Sequence, residues 1–511
     1  MSAAGKQGKV ILVGAGPGDI GLFTLKGKAW LERADVVIYD YLANARLLAF
    51  APKHAEVIYA GKKEGHVTFA QEEMNAMLIE KAKAGKIVVR LKGGDPFIFG
   101  RGGEECVALQ KAGVPFEVVP GVTASTGVSA YAGIPLTHRD FSSTISIVTG
   151  SNEKGKEDLH IDWEKIASRA GTLVFLMGAR KLQRISENLM KYGKDPKTPI
   201  AVIQWGTTPR QKTWTGTLDT IVDIAQKEEI KPPALTIVGE VVNLKPHMDW
   251  FETLPLFGKT VVITRAEEQA DDFSQALLER GAEPYLFPVI ETVEPESWEP
   301  LDRALGELEN YDGLIFTSTN GVRCFMQRLK ETGRDIRDLK GLRLFAIGPK
   351  TEQAVTDLGI PVEAVPEKFV AESLIETLGK AGLKGKRLLL PRAAVARETL
   401  PDTLRQMGIE VDVCPAYRTV LPDTDAADLI ARLQEGSIHV LTFTASSTVN
   451  HFMQLVGDKV REHLDHVTVA CIGPITAKTA TDLGLPVHLT ADTYTVSGLI
   501  QAMEDYFQQR K

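Results

Sequence analysis

The sequence predicts an α/β protein, and three observations predict it. Short apolar runs such as Val10-Ile-Leu-Val13 and Val261–Thr264 alternate with stretches of helical spacing such as Asp272–Arg280. Glycine-rich turns follow several of these runs directly. The C-terminal half also repeats itself. Such alternation builds parallel sheets covered by helices. A length of 511 residues leaves room for three or four domains, each with its own core.

Composition narrows the function classes. The chain carries 59 Lys+Arg against 66 Asp+Glu, a net charge of −7. That excludes a generally basic, nucleic-acid-coating protein and still allows a local basic pocket. Cys106, Cys324, Cys414 and Cys471 stand singly, without a CxxC pair. Neither a disulfide framework nor a structural metal site is expected, and a reducing cytoplasm fits. The first residues lack an apolar signal core, and no run of about 18 apolar residues occurs, so no membrane association is expected.

The repeat organises the second half. Lys259-Thr-Val-Val-Ile-Thr-Arg265 is echoed by Lys386-Arg-Leu-Leu-Leu-Pro-Arg392, an offset of 127 residues from Arg265 to Arg392. Gly281 and Pro288 recur as Gly408 and Pro415, Ile347-Gly-Pro as Ile472-Gly-Pro, and Leu358-Gly-Ile-Pro-Val as Leu483-Gly-Leu-Pro-Val. Residues 258–511 therefore divide into two related α/β units of about 127 residues, expected to be two lobes facing one another. Residues 1–245 show no matching repeat. Residues 246–257, with Pro246 and Pro255, read as a linker.

In the first half, Val10–Val13 runs into Gly14-Ala-Gly-Pro-Gly-Asp19. Glycines after a strand let backbone approach a ligand, and equally make a tight structural turn. Pro17 donates no N–H, so a neutral or cationic ligand fits better than a pyrophosphate. The second loop, Arg90-Leu-Lys-Gly-Gly-Asp-Pro-Phe-Ile-Phe-Gly-Arg-Gly-Gly-Glu-Glu105, is more specific. With Ala34-Asp-Val-Val-Ile-Tyr-Asp40, Gly61-Lys62-Lys63, Val119-Pro-Gly-Val-Thr-Ala124, Gly133-Ile-Pro-Leu-Thr-His-Arg139, Leu173-Val-Phe-Leu-Met-Gly178 and Val238-Gly-Glu-Val-Val242, it spans nearly all of residues 8–244. In that order these segments resemble the uroporphyrinogen-III C-methyltransferases of the tetrapyrrole methylase family.

The resemblance implies a fold of two unlike α/β subdomains, a homodimer through this half, and S-adenosylmethionine as methyl donor, released as S-adenosylhomocysteine. It places donor contacts at Pro17, Gly93, Gly94, Asp95, Ile98, Thr123, Ala124, Met177 and Gly206. Met177 and Ile98 read equally as core residues. The resemblance also makes Asp40 a proton acceptor and Lys62 a proton donor in methylating uroporphyrinogen III to precorrin-2. Asp40 could instead cap a turn, and Lys62 could be solvated. Tyr41 stands where the family commonly has Arg. The substrate's eight carboxylates call for local cations, with Arg101, Arg139, Lys62 and Lys63 as candidates. His138 reads as structural.

In the second half, Phe316-Thr-Ser-Thr-Asn-Gly-Val and Phe443-Thr-Ala-Ser-Ser-Thr-Val are equivalent strand-to-helix turns rich in hydroxyls, and Thr351 and Thr476 follow the two Ile-Gly-Pro turns. Such turns cap helices and also bind carboxylates at electropositive helix ends. His439, His451, His463, His466 and His488 have no ligand-like spacing. These motifs, with Ile263-Thr-Arg265 and Pro415-Ala-Tyr-Arg-Thr419, resemble the uroporphyrinogen-III synthases, a two-lobed parallel α/β fold. The resemblance implies cyclisation of hydroxymethylbilane with inversion of the last ring and loss of water. It maps Tyr417 onto a tyrosine that hydrogen-bonds the departing water, although Tyr417 also reads as packed at a strand edge. Arg265, Thr317, Ser318, Arg392, Ser446, Ser447 and Thr476 are the candidate carboxylate binders, and Ala445 replaces a residue that is often a hydroxyl. The expectation is a bifunctional tetrapyrrole enzyme with no metal. The alternatives are a methylase for a different precorrin and a non-catalytic tetrapyrrole-binding module.

Overall fold

The computed structural model describes residues 8–61, 69–150, 161–168, 171–364, 371–396 and 398–510. The described chain forms two compact units. One runs to Thr260 and includes Gln275–Pro284 and the residues from Glu504; the other comprises Val261–Ser274 and Tyr285–Met503.

The first unit holds two sheets. In one, β1 (Lys9–Gly14), β2 (Val36–Tyr39), β3 (Glu56–Tyr59), β4 (Ile87–Lys92) and β5 (Phe116–Val119) line up as β3-β2-β4-β1-β5. Every neighbouring pair is parallel. The apolar run of β1 explains its central place. Val10 and Leu12 enter one hydrophobic cluster while Ile11 and Val13 enter another on the opposite face, so the strand is buried on both sides.

The other sheet is mixed. It comprises β6 (Ile145–Thr149), β7 (Thr172–Leu176), β8 (Pro199–Gln204), β9 (Lys212–Thr217) and β10 (Ala234–Val238) in the order β6-β7-β10-β8-β9. Only β6 and β7 pair in parallel; β10 runs antiparallel to both β7 and β8. Thus β7 and β8 point the same way, and their carboxyl ends lie on one rim.

Residues 246–257, expected as a linker, are folded against this unit. Lys245–Met248 is a short helix, and Phe251 and Leu256 are buried. The Trp250 ring N–H donates to the carbonyl of Ala130 at 2.9 Å.

The remaining sheets change the expected reading of the repeat. The strands are β11 (Thr260–Ile263), β12 (Glu283–Leu286), β13 (Glu291–Val293), β14 (Gly313–Phe316), β15 (Arg343–Ala346), β16 (Arg387–Ala393), β17 (Glu410–Val420), β18 (Val440–Phe443), β19 (Thr468–Cys471) and β20 (Val487–Thr490). One sheet is ordered β12-β11-β18-β19-β20 and the other β13-β17-β16-β14-β15. The two repeats are therefore not the two lobes. Each lobe takes its first two core strands from one repeat and its next two from the other: β11 pairs with β18, and β16 with β14, both in parallel. A 127-residue period reports recurring local sequence; it carries no information about which copy supplies a strand's partner.

The exchange has a direct consequence. Residues 258–384 expressed alone hold strands of two different sheets, neither complete, and should show no cooperative thermal transition by circular dichroism. Sequential lobes would give a folded fragment.

Candidate active sites

Parallel strands deliver their following loops to one edge, where open α/β sheets bind ligands. In the first sheet, β1 leads into the turn containing Pro17, β2 into Asp40, β4 into Gly93-Gly94-Asp95, and β5 into Thr123, which begins the helix Ala124–Tyr131. In the mixed sheet, β7 leads into Met177 and β8 into Gly206. The two rims touch. The backbone N–H of Asp19 donates to the Thr207 hydroxyl at 3.1 Å. A Cβ on Gly206 would lie 2.3 Å from a Val128 methyl, and one on Gly127 would lie 2.7 Å from the Pro17 ring. All the candidate donor residues thus come from strand ends around one helix.

Backbone strain marks the same rim. Among the described residues six non-glycines have positive φ, and five are here: Phe99 (54°), Arg101 (60°), Met177 (56°), Trp205 (51°) and Thr207 (66°). Met177 is 52% exposed and Ile98 39%, so the core reading of both is overturned.

Asp95 organises the loop. Its carboxylate accepts from the backbone N–H of Phe97 (2.8 Å), Ile98 (3.2 Å) and Gly121 (3.0 Å), tying the β4 loop to the β5 loop. Gly94 has φ of 68°, a conformation side chains rarely adopt, and a Cβ there would be in ordinary contact with the backbone of Ala124 and Thr123 at 3.8 and 4.0 Å.

Asp40 caps its own turn, accepting from Leu42 N–H (3.1 Å) and Ala43 N–H (3.2 Å). It also sits 3.7 Å from the Arg90 guanidinium. Lys62 and Lys63 lie outside the described residues. Arg101 is exposed and paired with Glu104 at 2.6 Å, and Arg139 is exposed. Tyr41, in the place of the family's Arg, lies edge-on to Trp205 with centroids 6.1 Å apart.

In the second unit the Tyr417 hydroxyl meets that of Ser318 at 3.0 Å. Ser318 caps the helix Thr319–Glu331, accepting from the N–H of Gly321 at 3.0 Å. Tyr417 is 8% exposed, and burial pushes its phenol up. It stays protonated at neutral pH, and either hydroxyl can donate across the contact with Ser318. Thr317 is half-buried at the end of β14.

In the other lobe, Ser446 opens the helix Ser446–Val456 and accepts from Thr479 at 2.8 Å, while Ser447 is exposed. Thr476 is only 5% exposed in the first turn of its helix, as is Thr351 in the equivalent place. Arg265 is held by Gln269 at 3.0 Å, and burial lowers its pKa. Arg392, 6% exposed, is paired with Glu398. Ala445 occupies the cap position equivalent to Ser318, and Thr448 bonds its backbone N–H instead, at 3.3 Å.

Two family models match the chain: Tetrapyrrole (Corrin/Porphyrin) Methylases over residues 9–222 and uroporphyrinogen-III synthase HemD over residues 271–501. The porphyrin biosynthesis protein HemD of Ruminiclostridium josui is 36% identical over 498 residues, which cover 98% of each chain. The chain belongs to the family in which a tetrapyrrole methylase is fused to a uroporphyrinogen-III synthase. A uroporphyrinogen-III C-methyltransferase of Bacillus subtilis (strain 168) is 42% identical over 353 residues, 69% of this chain and 71% of the relative. The S-adenosyl-L-methionine-dependent uroporphyrinogen III methyltransferase of Methanosarcina barkeri (strain Fusaro / DSM 804) is 49% identical over 241 residues, 47% of this chain and 94% of the relative.

Inside the methylase half lies a charged cluster that the sequence did not announce. Arg90, Lys92 and Glu105 are 6%, 4% and 1% exposed. Lys92 pairs with Glu105 at 2.9 Å, and the Arg90 Nε lies 3.5 Å from the same oxygen while its Nη2 faces Asp40 at 3.7 Å. Burial, then the Arg90 charge, lowers the Lys92 pKa. Charges so placed are tolerated only as a set. Lys92→Met should cost the methylase half about 3 kcal/mol of unfolding free energy in urea, and Lys92→Met with Glu105→Leu should recover most of that loss.

Proposed function

We propose that the chain carries out two consecutive steps of tetrapyrrole synthesis. The synthase half cyclises hydroxymethylbilane to uroporphyrinogen III, inverting the last ring and releasing water. The methylase half then transfers two methyl groups from S-adenosylmethionine to give precorrin-2. The observation that carries the reading is the convergence of the β1, β4, β5, β7 and β8 carboxyl ends on one strained rim. Membership of a full-length fused family supports it.

The rim suits a sulfonium donor. Pro17 offers no N–H, Gly93 and Gly94 present bare backbone, exposed Met177 and Ile98 present soft apolar surface, and Asp95 supplies negative charge. Bound there, S-adenosylmethionine supplies an electrophilic methyl group. Asp40, beside the Arg90 guanidinium, takes a proton from the macrocycle so that the accepting carbon stays electron-rich. Lys62 is the proposed proton donor. Arg101 and Arg139 would receive substrate carboxylates, Arg101 by exchanging its Glu104 partner.

In the synthase half, the buried Tyr417 hydroxyl donates to the departing water while Ser318 orients it. Ring closure asks mainly for folding of the bilane and for grip on its carboxylates. Thr317, Ser446, Ser447 and Arg265 are the proposed grips; Arg392 and Thr476, being buried, would act by holding the loop and the helix end in place. A homodimer through the methylase half is supported by β6, an edge strand with Ile145 and Ile147 exposed. The four cysteines are buried free thiols, which suits a reducing cytoplasm.

Incubation with hydroxymethylbilane and methyl-labelled S-adenosylmethionine should yield a doubly labelled type III macrocycle; unlabelled uroporphyrinogen III alone would sink the methylation step. In the same assay Asp40→Asn should slow methylation by about 10² or more and leave cyclisation untouched. Tyr417→Phe should slow cyclisation at least about tenfold and leave methylation of added uroporphyrinogen III unchanged.

A further inference from the structure

The helix Ala124–Tyr131 is clasped by a closed ring of hydrogen bonds. At its last residue the Tyr131 hydroxyl donates to Asp19 at 2.6 Å. The Asp19 backbone N–H donates to the Thr207 hydroxyl at 3.1 Å, and the Thr207 backbone N–H donates to the Gln211 side-chain oxygen at 2.8 Å. Gln211 closes the ring by donating from Nε2 to the backbone carbonyl of Tyr131 at 3.2 Å. Thr207 holds a φ of 66° within this ring, its hydroxyl accepting one bond and its backbone N–H donating the next.

The ring is braced from the segment that follows the methylase half. The same Gln211 nitrogen donates to Glu252 at 2.8 Å, and Lys245 pairs with Glu252 at 3.3 Å and Asp249 at 2.6 Å. Trp250 and Phe251 pack edge-on against the Tyr131 ring, with centroids 5.0 and 4.8 Å away. Asp19 lies two residues after Pro17, Thr207 follows Gly206, and Tyr131 ends the helix that Thr123 and Ala124 begin. The ring thus joins three of the five pieces of backbone that carry candidate donor contacts; the Gly93–Ile98 loop and Met177 lie outside it.

We propose that Lys245–Glu252, acting through Gln211 and Tyr131, is a positioning element of the methyl-donor site. It fixes the spacing between the Pro17 turn, the Gly206 turn and the start of the helix at Ala124, and so sets donor affinity. None of its residues touches the donor. The inference rests on the donor site proposed above.

Isothermal titration of the full chain with S-adenosylhomocysteine tests it. Tyr131→Phe removes one oxygen and keeps the aromatic stack; Glu252→Ala removes the brace. Each should weaken binding by about fivefold or more. The KM for S-adenosylmethionine should rise in step, with the KM for uroporphyrinogen III and the rate of hydroxymethylbilane cyclisation unchanged. Variants that bind as tightly as the parent overturn the proposal. So does a parallel loss of both KM values and cyclisation, which would mean general loosening. Failure of the unaltered chain to bind S-adenosylhomocysteine would instead condemn the donor site itself.

Discussion

Three glycines in contact set the geometry of the methylase rim. A Cβ on Gly121 would lie 2.3 Å from the carbonyl oxygen of Gly94, and one on Gly14 would lie 2.5 Å from Gly121 Cα. The loops leaving β1, β4 and β5 therefore touch backbone to backbone, at a distance that no side chain permits. That approach lets Asp95 collect N–H groups from two loops at once and lets Gly16 and Gly94 exchange backbone bonds at 3.2 and 2.8 Å. Without it the candidate donor contacts would be scattered along an edge instead of gathered around one helix.

Much of this was legible in the sequence because chemistry and local geometry coincide there. Glycine clusters after apolar runs could only be turns at strand ends, and such ends are where parallel sheets bind ligands. Tyr417 and Ser318, selected from separate motifs 99 residues apart, are bonded to each other in the structure. The repeat was also legible, but the exchange of strands between lobes was not. Strands β14 and β18 are equivalent in sequence, and either could pair with β11 by periodicity alone. Long-range pairing decided it.

Burial was the harder property to read. Arg90, Lys92 and Glu105 alternate with glycines and apolar residues as charges on a solvated face would, yet they lie inside, because each neutralises a neighbour. Met177 and Ile98 err in the opposite direction: both are apolar in an apolar context and both are exposed. Thr351 and Thr476 have hydroxyls at helix starts, the pattern of a binding turn, and are packed away. Residue type predicts the environment only where no specific partner or ligand overrides it.

In the methylase half the exposed apolar residues Met177 and Ile98 lie where the backbone is strained. A non-glycine residue in the left-handed region costs about 1–2 kcal/mol, and the methylase rim holds five of them. Such conformations persist only when neighbours over-determine them. Around Thr207 those neighbours are Asp19 and Gln211; around Phe99 and Arg101 they are the Asp95 carboxylate and the helix Gly102–Lys111. Gln211 is in turn held by Glu252, beyond the residues matched to the methylase family model. Part of the hydrogen bonding around Thr207 and Gln211 thus comes from the stretch of chain leading towards the synthase half, and the apparent linker is folded structure that packs on the methylase rim.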